Sequence, residues 1–141
     1  MNANKLSRSL VNHRLTKHDR LTNRQHIKLL FEEGSCLKFY PFKVFFIKKE
    51  KKHFLCNQML CAVPKKHFSS VARNRIKRLL KEAYRLHKHI LDRSSEMVEI
   101  KFVFLIGYVY TGGYHKLSYS VIRKCVTASL YQLRTLLKQG Q

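Results

Sequence analysis

One stretch, residues 70–85, constrains the fold of this chain more than any other, and it reads SVARNRIKRLLKEAYR. On a helical wheel at about 100° per residue, most of its cations, one asparagine and the next lysine fall within one arc of roughly 140°. That arc contains Arg73, Asn74, Lys77, Arg78, Lys81, Arg85 and Lys88. Apolar residues fill the opposite side, namely Ala72, Ile76, Leu79, Leu80, Ala83, Leu86 and Ile90. The pattern predicts a helix that packs on a core with one face and presents cations with the other.

The rest of the chain is basic as well. Lys and Arg number 29 against 8 Asp and Glu, which gives 141 residues a formal charge of +21. Since 45% of the residues are hydrophobic, we expect one folded domain and not a disordered basic tail. A charge of this size opposes compaction, and binding to a polyanion with release of its counterions is the usual reason for it. Nucleic acid is therefore the expected partner, with a membrane surface or an acidic protein as alternatives.

Cysteine usage and the N-terminus indicate the compartment. The cysteines at positions 36, 56, 61 and 125 form no Cys-x-x-Cys pair, so we expect free, mostly buried thiols and neither zinc nor disulfides. No apolar run has the length of a membrane span, and the polar, basic N-terminus lacks the apolar core of a secretory signal. We expect a soluble cytoplasmic protein without a membrane partner, an organelle transit peptide being the alternative. Residues 1–18 are interpreted as a basic arm and residues 19–138 as the single domain.

The first half of that domain is predicted to contain one helix and two strands. LTNRQHIKLLFEEG predicts a short helix with Thr22 or Asn23 as N-cap and Gly34 just past its end. PFKVFFIKK, which begins at Pro41, is rich in aromatic and β-branched residues and predicts a strand. A second strand lies in FLCNQMLCAV and ends before Pro64, since proline cannot donate to a strand ladder.

The second half is predicted to contain the basic helix, a strand and a final helix. The basic helix is capped by Ser69 or Ser70 and continues to about residue 91. IKFVFLIGYVY is apolar nearly throughout, which indicates a central strand. Residues 118–138 carry apolar side chains on one helical face. The order helix, strand, strand, helix, strand, helix predicts an α+β fold, with helices packed on a small, mostly antiparallel sheet.

The acidic pairs that a metal-dependent nuclease requires are missing from this sequence. A two-metal nuclease needs several carboxylates around the scissile phosphate, and the eight acidic residues here form no Asp-x-Asp or comparable pair. The histidines have no zinc-binding spacing, and there is no phosphate-binding loop of the Gly-x-x-x-x-Gly-Lys type. We therefore expect no catalytic residues and no metal or nucleotide cofactor held by the protein alone.

What remains is recognition of a phosphate backbone. Lys65, Lys66, Arg73 and Arg75 cluster at the start of the basic helix, where arginine forks, lysine charge and helix amides can all contact phosphates. In the first predicted strand, Lys43 lies on the same face as Phe45. A charged residue there indicates an open face on which unpaired bases could stack. The competing interpretations are an ordinary solvated face for the cations and a core position for the phenylalanines.

The segment RNRIKRL, residues 73–79, closely resembles the RNR signature of the bacterial ribonuclease P protein component. The similarity extends over roughly residues 19–137. It includes the opening helix that ends in LLFEEG, the strand PFKVFFI, the Lys65-Lys66 pair, the apolar strand FVFLIG and a final helix. The sequence is identified as a member of this family.

The resemblance implies a fold and a division of labour. The fold would be an α/β sandwich with a left-handed βαβ crossover, similar to the second domain of ribosomal protein S5. The protein would be the small subunit of an endoribonuclease that removes the 5′ leader of precursor tRNA, and the RNA subunit with its Mg²⁺ ions would perform the hydrolysis. Its partners would be ribonuclease P RNA and precursor tRNA, and we expect a monomer in a 1:1 complex with the RNA. A ribosomal-type structural RNA-binding protein is the alternative, and a protein-only nuclease ranks third.

The resemblance also implies two sets of contact residues. Those expected to bind the RNA subunit are Lys65, Lys66, Arg73, Asn74, Arg75, Lys77, Arg78, Lys81 and Arg85. Those expected to bind the leader are Phe31, Lys43 and Phe45, with Phe45 stacking on a base. Ile27 stands where relatives often have a phenylalanine of the leader cleft, which leaves less aromatic surface there.

Overall fold

A single four-stranded sheet organises the protein in the computed structural model, which describes residues 14–65, 68–92, 101–113 and 117–139. The strands are β1 (Ser35–Phe39), β2 (Phe42–Glu50), β3 (Gln58–Ala62) and β4 (Phe102–Tyr110), in the spatial order β1-β2-β4-β3. The helices are α1 (Arg24–Glu33), α2 (Ser70–His87), the single turn α3 (His89–Asp92) and α4 (Tyr119–Gln139). The α+β fold with a mostly antiparallel sheet is confirmed.

The element order differs from the prediction by one strand, because β1 was not predicted. Its sequence SCLKF is short and mixed, and it lies at the edge of the sheet with only every second residue turned inward. β1 and β2 form an antiparallel hairpin whose pairs run from Ser35↔Phe46 to Phe39↔Phe42. The turn consists of Tyr40 and Pro41, joined by a cis peptide bond. The predicted second strand is therefore the third in the structure.

The strand predicted to be central, β4, does lie inside the sheet. It pairs antiparallel with β2 along all nine of its residues and parallel with β3. A parallel neighbour requires a crossover, and α2 provides it between β3 and β4. The sheet thus contains a βαβ unit whose connecting helix is the basic helix.

The main core lies between one face of the sheet and the helices α2 and α4. β4 contributes Phe104, Ile106, Tyr108 and Tyr110, and β2 contributes Phe42 and Val44. The two helices contribute Ile76, Leu80, Ala83, Ile122, Val126, Leu130 and Leu133. A polar pair within this packing is satisfied internally, since the hydroxyls of Tyr108 and Ser129 are 2.7 Å apart. The apolar side of the helical wheel is therefore the face that packs on the sheet.

α1 packs on the opposite face of the sheet. Among the described residues, this helix covers only part of that face. Leu30 of this helix packs on Leu105 of β4 and on Leu21 in a small second core. Gly107 makes the close approach possible, because a Cβ at this position would lie 3.0 Å from Cδ2 of Leu30 and 3.3 Å from Cζ of Phe31. The helix ends as predicted: the Asn23 side chain accepts hydrogen bonds from the amides of Gln25 and His26, and Gly34 is the C-cap.

The basic helix begins at its predicted cap and carries one cation that points inward. Ser69 Oγ accepts from the Ala72 amide at 3.1 Å. Lys88, which the wheel places among the surface cations, is buried instead, and its Nζ lies 3.1 Å from Oδ2 of Asp19 and 2.6 Å from the carbonyl oxygen of Arg14. Residues 14–19 are thereby attached to the end of α2. The predicted arm falls mostly on residues 1–13, outside the described residues, and stays a prediction.

The four cysteines are free thiols, and they are less uniformly buried than expected. Cys125 is buried, Cys56 and Cys61 are half-buried, and Cys36 is exposed on β1. Within the described ranges, no helix combines the length and apolar character that crossing a membrane would require.

Candidate RNA-binding surface

The start of the basic helix and the exposed Lys43 of the sheet lie at the same end of β4. Phe68, two residues before the helix begins, packs its ring 5.5 Å from that of Tyr110, the last residue of β4. The preceding residue, Val109, is the cross-strand partner of Lys43. The two sets of residues predicted to bind RNA therefore border the same end of the sheet.

The exposed face of α2 carries most of the predicted contacts with the RNA subunit. Asn74, Arg78 and Lys81 are exposed, whereas Arg73 and Lys77 are half-buried along the margin of the helix. Arg73 donates from one guanidinium nitrogen to Ser70 Oγ at 3.3 Å, which draws it toward the helix start. Because the backbone of an α-helix is rigid, the Cα atoms of these residues form a fixed row from which their side chains can donate hydrogen bonds.

Arg85 is held by an acidic neighbour. Its guanidinium donates to both carboxylate oxygens of Glu82, at 3.1 Å and 2.6 Å. This hydrogen bonding raises the pKa of Arg85 and lowers the pKa of Glu82. Arg85 thus lies on the predicted face, but a phosphate would have to compete with Glu82 for it.

Arg75 has a structural contact on the flank of α2 that faces the start of α4. Its guanidinium donates to the carbonyl oxygen of Leu117 at 2.8 Å, 42 residues along the chain. It therefore joins the segment before α4 to the basic helix, which the spacing within the signature did not indicate. Its expected contact with RNA stays a prediction.

Only one of the two lysines in the loop before α2 lies within the described residues. Lys65 is exposed just after β3, and Lys66 lies outside the described residues.

Lys77 and Lys81 approach Cys61 on β3 closely enough to favour its thiolate, yet burial is the larger effect and raises the pKa of Cys61 to about 12. A thiol with such a raised pKa is protonated at physiological pH, and a protonated thiol is a poor nucleophile and metal ligand.

Phe31 and Phe45, both predicted to bind the leader, are in contact. The centroids of their rings are 5.0 Å apart, in an edge-to-face arrangement with an interplanar angle of 63°. Phe31 is 39% exposed at the end of α1, and Phe45 is half-buried on the sheet. Phe45 pairs with Gly107, so the absence of a side chain there leaves room for both rings. Together with Lys43, which is exposed on the same sheet face, these rings form what we call the aromatic cleft: Phe31, Lys43 and Phe45.

One residue of this surface was missed by the sequence reasoning. Lys38 on β1 is exposed and lies directly opposite Lys43 in the hairpin register. Because β1 was not predicted, this neighbour of the aromatic cleft was not found. The alternation of Leu37 and Phe39 with Cys36 and Lys38, followed by the Tyr40-Pro41 turn, is the signal that could have found it.

Nothing in the described part of the chain fits a metal centre. No three His, Cys, Asp or Glu side chains within those ranges are grouped to hold an ion. The chemistry available on this surface is that of cationic donors and exposed aromatic rings, which suits recognition of RNA.

Comparison with known proteins agrees with the sequence resemblance. The family model described as Ribonuclease P matches residues 15–134. A curated ribonuclease P protein component from Chlorobium phaeobacteroides is 32% identical over 130 residues, which cover 85% of this chain and 88% of the relative. One from Porphyromonas gingivalis strain W83 is 42% identical over 79 residues, and the match spans 55% of this chain and only 58% of the relative.

Solved structures with a similar fold have lower sequence identity. The ribonuclease P protein of Thermotoga maritima aligns with a TM-score of 0.60 at 21% identity, covering 80% of this chain and 96% of that one. The Staphylococcus aureus protein aligns with a TM-score of 0.56 at 19% identity, covering 84% and 93%. At these identities the structural similarity establishes the fold, and the family model together with the Chlorobium relative establishes the family. The chain belongs to the ribonuclease P protein family.

Proposed function

We propose that this chain is the protein subunit of ribonuclease P, an endoribonuclease complex, and that it binds both the RNA subunit and the 5′ leader of precursor tRNA. The observation that carries the proposal is the position of the basic helix and the aromatic cleft at one end of a single sheet. A rigid domain of this kind can hold a single strand next to a structured RNA.

The RNA subunit is assigned to the α2 surface. Exposed Arg78 and Lys81, with Asn74 beside them, offer donors for phosphate oxygens, and Arg78 can bind bidentately. Between residues 64 and 91 the only acid is Glu82, and it is bonded to Arg85. Ordinary solvated helices carry both signs, so this imbalance favours a polyanion as the partner.

The leader is assigned to the aromatic cleft. A single-stranded leader has unpaired bases that can stack on aromatic rings, and exposed Phe31 and half-buried Phe45 provide an edge-to-face pair. Lys43 adds charge for the backbone on the same face. A double helix could not use such a site, because its bases are already stacked and paired.

Hydrolysis is assigned to the RNA subunit. Since the sequence contains no carboxylate pair of the kind that a two-metal nuclease uses, Mg²⁺ would be held mainly by the RNA, and the protein would offset phosphate repulsion around it. The protein would act as a cytoplasmic monomer bound 1:1 to that RNA.

A cleavage assay at low Mg²⁺ tests the proposal. Precursor tRNA is incubated with a bacterial ribonuclease P RNA, with this protein, and with both. We expect cleavage at the mature 5′ end only when both are present. The Arg78→Ala variant should reduce the stimulation, and Arg123→Ala on the exposed side of α4 serves as the charge-matched control. Absence of stimulation, together with tight binding to another structured RNA, would favour a ribosomal-type role instead.

A further inference from the structure

Two lysines face each other near the tip of the β1–β2 hairpin. Lys38 and Lys43 are direct cross-strand partners, each two residues from the Tyr40-Pro41 turn, and both are exposed. Side chains directly opposite each other in an antiparallel pair have Cβ atoms about 4.5–5.5 Å apart. The two ammonium groups can therefore converge on a single anion.

No acidic side chain compensates this pair in the described part of the chain. The ion pairs found there involve Lys28, Lys52, Arg85 and Lys88, and neither lysine of the hairpin. The sequence from residue 34 to residue 49 contains no Asp or Glu. Like charges directly opposite each other disfavour the hairpin, so the two lysines destabilise the free protein. A bound anion would remove that repulsion.

The surroundings of the pair indicate which anion fits. Lys43 and Phe45 are two residues apart on the same face of β2, a separation of about 6.7 Å along the strand. This is comparable to the distance between successive phosphates of a stretched single strand. Beyond the lysines, in the turn, Tyr40 is 65% exposed. Along the hairpin, the lysine pair thus lies between Phe45 and the exposed Tyr40 of the turn, and half-buried Val109 lies beside Lys43 across the sheet.

We propose that Lys38 and Lys43 together bind one phosphate of the leader, between a base stacked on Phe45 and the next base stacked on Tyr40. This inference rests on the proposed leader-binding role of the aromatic cleft. The hairpin tip would contact one phosphate and the faces of two bases. Such contacts select an unpaired strand of sufficient length and do not select a base sequence.

Binding of precursor tRNAs with leaders of increasing length, from one to eight nucleotides, tests this site in the assembled holoenzyme. In the wild type, affinity should rise in steps as the leader reaches Phe45 and then the hairpin tip. The Lys38→Thr variant should lose roughly two- to fivefold in affinity for long leaders and nothing for short leaders or mature tRNA. For long leaders, the slope of log affinity against log salt should become shallower by about 0.7 for each phosphate that the variant no longer binds.

Four further variants complete the design. Lys38→Arg should retain the affinity for long leaders, because the charge is kept. Lys51→Thr removes an equally exposed lysine just past the opposite end of β2 and should behave as the wild type. Tyr40→Ala should weaken long leaders while Tyr40→Phe does not, since stacking needs the ring and not the hydroxyl. The free Lys38→Thr protein should melt at the same or a higher temperature, because a repulsion has been removed.

The possible failures are distinguishable. If wild-type affinity rises with leader length but Lys38→Thr matches it throughout, the phosphate site is wrong and the leader-binding proposal stands. If the wild type is indifferent to leader length, both are wrong. Equal losses for precursor and mature tRNA, or a lower melting temperature with losses for every RNA, would also overturn the phosphate site.

Discussion

The side chains of Asp19 and Lys88, 69 residues apart in the chain, meet at 3.1 Å, and each is less than a tenth exposed. Asp19→Ala would leave the Lys88 ammonium buried without its counter-ion, and removal of one partner from such a pair costs about 3–5 kcal/mol. We expect a loss of this order in the free energy of unfolding, measured with urea. Glu32→Ala is the control, since its ion pair with Lys28 is exposed, and it should change stability little. A loss no larger than that of the control would contradict a stabilising role for the pair.

The same carboxyl makes stability depend on pH. Burial raises the pKa of Asp19, but the Thr16 amide and hydroxyl and the Lys88 ammonium together outweigh burial and hold its pKa below the ordinary value of 3.8. A depressed pKa means that the unfolded state binds the proton more readily, so the stabilisation is present above pH 3.8 and is lost as pH falls through the folded-state pKa. Urea unfolding between pH 6 and pH 2 should show this loss. Asp19→Asn should flatten the profile in this range, and an unchanged slope would remove Asp19 as its source.

Substitutions on the exposed face of α2 should weaken binding to the RNA subunit. Arg73→Ala and Arg78→Ala should each reduce the slope of log affinity against log salt, by about 0.7–0.9 for every phosphate that the arginine neutralises in the complex. Arg123→Ala removes the same charge from the exposed side of α4 and should leave the slope unchanged. Affinity titrations at four or five salt concentrations provide the measurement. A slope equal to that of the wild type would exclude the two arginines from the interface.

Phe45→Ala should affect precursor tRNA selectively. If the ring stacks on a leader base, its removal costs about 1–3 kcal/mol of binding free energy for precursor tRNA and nothing for mature tRNA. Phe45→Leu keeps the apolar packing against Leu30 and its neighbours without the aromatic ring, so it separates stacking from packing. Weaker binding in Phe45→Ala alone, with full affinity in Phe45→Leu, would argue against stacking.

Local patterns in the sequence were sufficient for the elements that depend on local physics. The caps at Asn23 and Ser69 and the apolar run of β4 are encoded within a few neighbouring residues, and the structure confirms them. The packing face of α2 follows equally from helical spacing. The βαβ unit is present as the family resemblance implied, and the handedness of its crossover stays a prediction.

What the sequence did not reveal depends on contacts between distant segments. The orientation of Lys88 is decided by Asp19, and the contact of Arg75 by the backbone of Leu117, so no helical wheel could place either side chain. β1 is a short edge strand, and its inward residues are placed against the core only when β1 pairs with β2. Missing that strand also concealed Lys38, which the structure adds to the candidate site.

The small size of the second core has a consequence for motion. α1 rests on a core of three buried residues, whereas α2 and α4 share the main core, so separating α1 from the sheet exposes far less apolar surface than unfolding the domain. We therefore expect the helix that carries Phe31 to open locally at a lower free energy than α2 or α4. Its amides should exchange with deuterium faster than those of α2, and a bound leader should slow them. We therefore expect the width of the cleft to adjust to bases of different size at a smaller energetic cost than any displacement of α2 or α4 would require.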